Sequence, residues 1–288
     1  MAWKDLVRKW CGEPEHNRGW LSFSVRRRSA VPAKLVLFVA YAVLFQSNKL
    51  PADTIPVRHT EGLMHGFLVL RTLEGKALAD GQLTQEAQGD RVTAHLTFRF
   101  KDGSTYEDTT QFSQRGTFRL LSDHLIQRGP SFPKPIDTLV DASTGQVKVR
   151  YTENNGKEKV IAQRLELPPD ISNGLLLTLL KDVKPSVPRT TVSMVTATPE
   201  PRLVKLAILP QGEEPFKIGS FSHKAIHYVV RAEIGGVTGF LARLTGKQPP
   251  DTHVWVLGGE APAFVKIEGQ LYLGGPVWRI QLAAAGLF

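Results

Sequence analysis

Residues 246–259, GKQPPDTHVWVLGG, set an acid, a histidine and a tryptophan at alternate positions: Asp251, His253 and Trp255. An acid and a histidine on one face are the parts of a hydrolytic general-base relay, or two ligands of a metal ion. The same residues also suit a polar anchor in a ligand cavity, or a core histidine bonded to backbone or to Asp251. The proline pair holds Gln248 and Pro249 extended. A strand starting at Asp251 puts Asp251, His253, Trp255 and Leu257 on one face, and Thr252, Val254 and Val256 on the other. Both faces turn apolar toward the end, so the expected strand is central and buried on both sides. No third reactive group is assignable nearby.

The remaining reactive residues give less. His223 and His227 are four apart, but in a strand pattern four residues span about 13 Å, too far for one metal ion. They are expected on the wet face with Arg231 and Glu233, as His95 is with Arg91 and Arg99. His65 and His124 lie in separate hairpins and can meet only through the fold. Glu107 and Asp108 are adjacent and point to opposite faces. Ser122, Asp123 and His124 are neighbours in a strand and cannot form a triad, whose members come from distant positions. The chain carries no G-x-S-x-G, no G-x-x-x-x-G-K-[ST] and no H-E-x-x-H, so the common hydrolase, nucleotide and zinc-protease signatures are missing. No cofactor and no metal are expected.

The elements that must position these residues are strands. In RVTAHLTFRF, Val92, Ala94, Leu96, Phe98 and Phe100 share one face, and Arg91, Thr93, His95, Thr97 and Arg99 the other. That is a half-wet antiparallel strand. KDGS at 101–104 supplies a hairpin turn. LEGK (73–76), QGD (88–90), ASTG (142–145) and NNGK (154–157) repeat that punctuation. In SHKAIHYVVRAEI, Ile226, Tyr228, Val230, Ala232 and Ile234 line one face. Short strands joined by short turns predict a mainly β protein with a curved antiparallel sheet or half-barrel.

One segment has helical spacing. PPDISNGLLLTLLKDV, residues 168–183, repeats apolar residues at Ile171, Leu175, Leu176, Leu179, Leu180 and Val183. Asp170 is the expected N-cap, and Lys181 suits the last turn. Leu177 makes the surface apolar nearly all round. So short a helix forms only by packing, and the expectation is one helix on the concave face of the sheet. A second stretch, 235–246, suits one or two helical turns.

The N-terminus reads differently. The chain has 288 residues and a net charge of +9. Its first 34 residues hold eight bases and three acids, and the remaining 254 hold 28 and 24. The body is therefore a poor footprint for nucleic acid. Residues 35–48, LVLFVAYAVLFQSN, are uncharged. This is short of the roughly 20 residues of a membrane span and fits the apolar core of a signal peptide behind RRRSAVPAK. The expected division is a basic segment at 1–34, whose start is open to reassignment near Val25, and a signal core or membrane anchor at 35–52. A single β-rich domain at 53–288 follows, with KPSVPRT (184–190) as a candidate sub-boundary. Cleavage after Ala42 or Ala52 gives a periplasmic or extracellular body; an uncleaved anchor tethers it outside the cytoplasm. Membrane contact is expected only through the N-terminal segment. The one cysteine, Cys11, precedes the apolar run, so the body has no disulfide and no thiolate chemistry.

EGLMHGFLVLRTLEGK, FKDGS, RLLSDHLIQRGPSFP, DISNGLLLTLL and KQPPDTHVWVLGGEAPAFVKIEG resemble a family of uncharacterised exported bacterial β-rich proteins, over about Glu61 to Gln281. That resemblance implies export and carries no activity and no site residues. The expected shape is similar to the LolA-like half-barrels of lipoprotein carriers, in architecture only.

These readings together predict a cell-envelope binding or carrier module. Its partner would be an apolar or lipid-like small molecule or an envelope protein, with Leu175, Leu176, Leu179, Leu180, His253 and Trp255 as candidate contacts. The alternatives are an envelope hydrolase or metal enzyme using His253 and Asp251, and a structural scaffold held by an uncleaved anchor.

Overall fold

The computed structural model describes residues 53–153, 155–218, 221–233 and 248–283. The N-terminal segments, Cys11 and the 235–246 stretch lie outside the described residues. Among the described residues fourteen strands form one sheet. The first eight are β1 (Met64–Arg71), β2 (Ala77–Gln88), β3 (Arg91–Phe100), β4 (Thr105–Ser113), β5 (Arg119–Arg128), β6 (Ile136–Asp141), β7 (Gln146–Thr152) and β8 (Glu158–Arg164). The other six are β9 (Thr190–Val195), β10 (Leu203–Ile218), β11 (Phe221–Glu233), β12 (Thr252–Leu257), β13 (Ala263–Gln270) and β14 (Val277–Leu282). Among the described residues one α-helix, α1 (Leu176–Asp182), lies between β8 and β9.

Every strand pairs antiparallel with its neighbours in the chain except β8 and β9. β1 also pairs with β14 and joins the two halves, with Leu70 opposite Ile280. β8 and β9, consecutive in sequence, are the two edges, so the sheet is unclosed. The expected hairpin turns hold. Gly75, Gly89, Gly103 and Gly145 each take a positive φ, which a side chain would resist.

The helix reveals how far the sheet curls. Gly174 lies against Thr110 of β4 and Asp123 of β5, and Val183 accepts a hydrogen bond from Tyr228 of β11 at 2.9 Å. β5 and β11 are eight places apart in the sheet, about 38 Å if it were flat. Residues 174–183 reach about 14 Å as helix. The sheet therefore wraps around this segment. Leu175, Leu179 and Leu180 are 1%, 4% and 1% exposed and belong to the main core with Val92, Phe98, Tyr228, Val254 and Ile280.

Two expectations about the helix need correction. It starts at Leu176, with Leu175 as N-cap and no side-chain cap, and Asp170 does not cap it. Residues 170–173 instead lie along the edge of β9: Ile171 bridges Ser193 in parallel, and the Asn173 side chain bonds both N and O of Val195, at 2.8 and 2.9 Å. Asp170 accepts from Ser193 at 2.7 Å. An unpaired edge outcompetes a helical turn, because backbone groups buried there need partners.

The two ends of the enclosed space are closed differently. At one end Phe100, Phe132, Tyr272 and Trp278 pack ring against ring, with Phe132 5.6 Å from Tyr272 and Phe100 5.5 Å from Trp278. Gln127 of β5 donates to the Leu271 carbonyl at 2.7 Å across the same end. At the other end Asp182 accepts the backbone N–H groups of Arg58 and His59, at 2.6 and 2.9 Å. Lys181 pairs with Glu61, which also accepts from Gln85 at 2.7 Å. The chain entering β1 is thus tied to the last turn of α1.

Candidate functional site

The structure separates the candidate residues into two places. Val254 and Val256 of β12 face the main core, 0% and 1% exposed. Asp251, His253 and Trp255 alternate with them, as the strand parity predicts, and therefore stand on the opposite, convex face. Trp255 packs in a small separate cluster with Ala225, Val265 and Phe216. His253 and Trp255 are not brought together with Leu175, Leu176, Leu179 and Leu180. Of those leucines, only Leu176 keeps partial exposure, together with Leu177.

On the convex face a polar network grows around Trp255. His227 of β11 lies directly opposite Trp255, and the rings stack with centroids 4.4 Å apart and planes 3° from parallel. The Glu214 carboxylate of β10 accepts from Trp255 Nε1 at 2.7 Å and faces His227 Nδ1 at 2.8 Å. These contacts, the tryptophan bond foremost, hold its carboxyl below the usual range. His227 Nε2 lies 3.0 Å from His253 Nδ1, and Lys266 Nζ sits 3.6 Å from the centre of the Trp255 ring. Such stacking and cation–π contacts stabilise an aromatic at a sheet surface.

One expectation is qualified and one is corrected. His227 shares the convex face with Arg231, as its parity predicts, but Trp255 and Glu214 cover it and its side chain is 12% exposed. Asp251 is not paired with His253, because Arg231 holds it through two donors at 2.6–3.1 Å and keeps its pKa low. An Asp251–His253 relay is therefore absent, and the acid that reaches the histidine pair is Glu214. Among the described residues no group of three or more His, Cys, Asp or Glu could hold a metal ion.

The concave face carries a second constellation that the strand pattern did not single out. The register places Gly66, Leu83, Leu96, Asp108, Leu125 and Thr138 in one row across β1–β6, each directly opposite the next. The first five are half-buried. Further along the same strands toward the ends, Val92, Phe98, Tyr106, Phe112, Leu120 and Gln127 are buried. The packing is thus looser at mid-strand than near the ends.

Asp108 and Asp123 meet in that region. Asp123 is 3% exposed and accepts from Thr110 Oγ1 at 3.0 Å. Tyr106 donates to Asp108 at 3.4 Å, a weak contact. Burial, then the Asp108 charge beside it, pushes the Asp123 carboxyl well above its ordinary pKa. Burial also raises Asp108, against the hydrogen bond from Asp123. Each carboxyl therefore resists ionisation while the other is charged.

The sequence signal for this pair was hidden by a β-bulge. β5 slips one residue against β4 between the Gln111–Ser122 and Phe112–Leu120 pairings. Leu121 is the extra residue, so Leu120 and Asp123 both point inward. Strict alternation from Leu120 would have put Asp123 outside. His124 accordingly faces away, 2.9 Å from Asp137, and Ser122, Asp123 and His124 do not form a relay.

No family model matches the chain, and no curated protein matches it. Among solved structures the chain is similar to a β-barrel-like protein, a domain of unknown function (DUF1849), from Brucella abortus, at 12% identity over 81% of this chain and 98% of that one, with a TM-score of 0.40.

Proposed function

We propose that the protein is a non-catalytic binding or carrier module of the cell envelope whose concave face takes the apolar part of a lipid-like molecule. The observation that carries this reading is the mid-strand row of Gly66, Leu83, Leu96, Asp108 and Leu125, half-buried between two closed ends. In a finished core the middle of the inner face is the best-buried part. Here three leucines stop short of the roughly 1.5–3 kcal/mol that full burial of each would return, and an apolar ligand would complete it. Leu176 and Leu177, half-buried on α1, are the helix residues suited to contact it. Leu175, Leu179 and Leu180 support the wall from behind. Export of the body follows from the basic and apolar N-terminal segments, cleaved or retained as an anchor.

Titration of the purified full-length protein with the apolar dye N-phenyl-1-naphthylamine tests this. The expected result is saturable fluorescence that dodecanol displaces and that Leu96→Trp, which fills the row, suppresses without loss of cooperative unfolding. Absence of dye uptake by the wild-type protein would sink the reading. Cell fractionation reports on export separately: a cytoplasmic body would overturn that part.

A further inference from the structure

The two edges of the sheet are treated differently. Residues 170–173 cover β9: Ser193 N donates to the Asp170 carbonyl at 3.2 Å, and Ser172 N to the Ser193 carbonyl at 2.8 Å. β8 pairs with β7 on one side and has no such cover on the other among the described residues. A bare edge is a template for another strand.

The register shows which backbone groups are free. At one end of the β7–β8 hairpin Glu153 N donates to the Lys157 carbonyl, and at the other Leu165 N donates to the Gly145 carbonyl, each at 2.9 Å. Hydrogen-bonded positions alternate along an antiparallel pair, so Lys159, Ile161 and Gln163 turn their backbone groups to β7. Glu158, Val160, Ala162 and Arg164 turn theirs to the open edge. Ile161 and Gln163 lie opposite the buried Val149 and Val147, which puts Glu158, Val160, Ala162 and Arg164 on the convex face. All of these are exposed, Val160 to 52%. An edge that resists pairing carries lysine, proline or a bulge. Here Val160, Ile161 and Ala162 hold the middle, and the convex-face charges stand at the two ends with opposite sign. The lysine of the strand, Lys159, is taken by Glu153, whereas Glu158 and Arg164 have no ion-pair partner among the described residues.

We propose that β8 is a self-association edge, through which two copies of this chain pair antiparallel about a twofold axis at Ile161. A twofold contact needs a patch complementary to itself, and β8 is one. Centred on Ile161, the pairing sets Glu158 opposite Arg164 on both sides of the axis and Val160 opposite Ala162. These are the positions whose N–H and C=O groups are free, so each edge group gains a partner. Ile161 meets its own copy, and Lys159 meets the uncharged Gln163. The neighbouring registers of the same parity lose the match. A centre at Ala162 sets Glu158 against Glu166, and a centre at Val160 leaves Arg164 opposite Gly156. The β9–β10 connection reaches β8 from the inner face, where Gln163 donates to the Pro201 carbonyl at 2.7 Å. It makes no backbone hydrogen bond to the edge.

Sedimentation velocity of the purified full-length protein over a concentration series, in one mild detergent, tests this. A contact limited to one strand pair is small and transient, so the dimer should grow in as concentration rises. Glu158→Arg and Arg164→Glu each set like charges opposite on both sides of the axis, and each should raise the dissociation constant about tenfold. An equimolar mixture of the two variants restores opposite charges across the axis and should dimerise as wild type does, as should the double variant alone. In a Cys11→Ser background, Ile161→Cys should give a disulfide-linked dimer on mild oxidation. Val160→Cys should not, because its twin lies diagonally across the axis, too far to bridge. A wild-type protein that stays monomeric throughout would overturn the proposal. So would a dimer indifferent to both charge reversals, as association through residues 35–48 would be, or a mixture of the two variants that shows no recovery.

Discussion

Gly174 stands against Asp123 so closely that a Cβ on it would come within 2.5 Å of the Asp123 Oδ1 atom, and within 1.8 Å of Thr110 Oγ1. Its φ of +65° is left-handed as well. The connection between the two edge strands is seated on the acid pair through this one residue. Gly174→Ala would bear about 1–2 kcal/mol of backbone strain and the steric displacement besides. The expected outcome is a large fall in the unfolding midpoint in urea. Thr110→Ala added to it should recover part of the loss by removing the nearer clash. Gly156→Ala, at a positive φ but with nothing within 4 Å, should show the backbone cost alone.

The raised pKa of Asp123 has a signed consequence for stability. Burial and the Asp108 charge raise its folded value above the unfolded one near 3.8. Between those two values the folded state binds more protons than the unfolded state, so stability falls as pH rises through that window. Asp123→Asn, neutral at every pH, should lose this slope. Thermal unfolding across pH 4 to 8 should show the variant gaining on wild type as pH rises. A parallel pair of curves would contradict the assignment.

Asp182 holds the entry to β1 against the helix. It is 1% exposed and accepts from Arg58 N and His59 N. Asp182→Ala leaves two N–H groups without that acceptor, at about 1–3 kcal/mol each where they stay buried. Residues 53–63 should then detach first. Limited proteolysis should cut there in the variant under conditions that leave wild type intact, and hydrogen exchange at Arg58 and His59 should accelerate.

The Trp255 cluster is predicted to serve stability on the convex face. Trp255→Ala should cost about 3–5 kcal/mol, in the range for burying a large aromatic, and leave dye binding by the folded fraction unchanged. Glu214→Gln should cost less. A glutamine offers one acceptor oxygen, where the carboxylate serves both Trp255 and His227. The folded pKa of Glu214 is depressed, so its contribution is present above about pH 4.5 and fades as pH falls through the folded value. The difference between variant and wild type should therefore narrow in acid.

The alternation of RVTAHLTFRF, the Asp-Gly and Asn-Gly turns and the leucine spacing of 175–180 determined the elements of this protein by themselves. Each is a local property: side chains alternate along a strand, glycine permits positive φ, and helical periodicity follows from 3.6 residues per turn. Strand parity likewise placed His253 and Trp255 on one face. Only the tertiary structure decided which residues meet. Arg231 takes Asp251 because β11 lies beside β12, and His227 reaches His253 for the same reason. Residues 170–173 leave the helix because a free edge of β9 needs them. Asp123 turns inward because one extra residue at Leu121 reverses the parity of β5, and a bulge is set by pairing with β4, not by β5 alone. Register and neighbourhood are properties of strands in pairs, so the acid pair of the concave face could appear only once the strands had met.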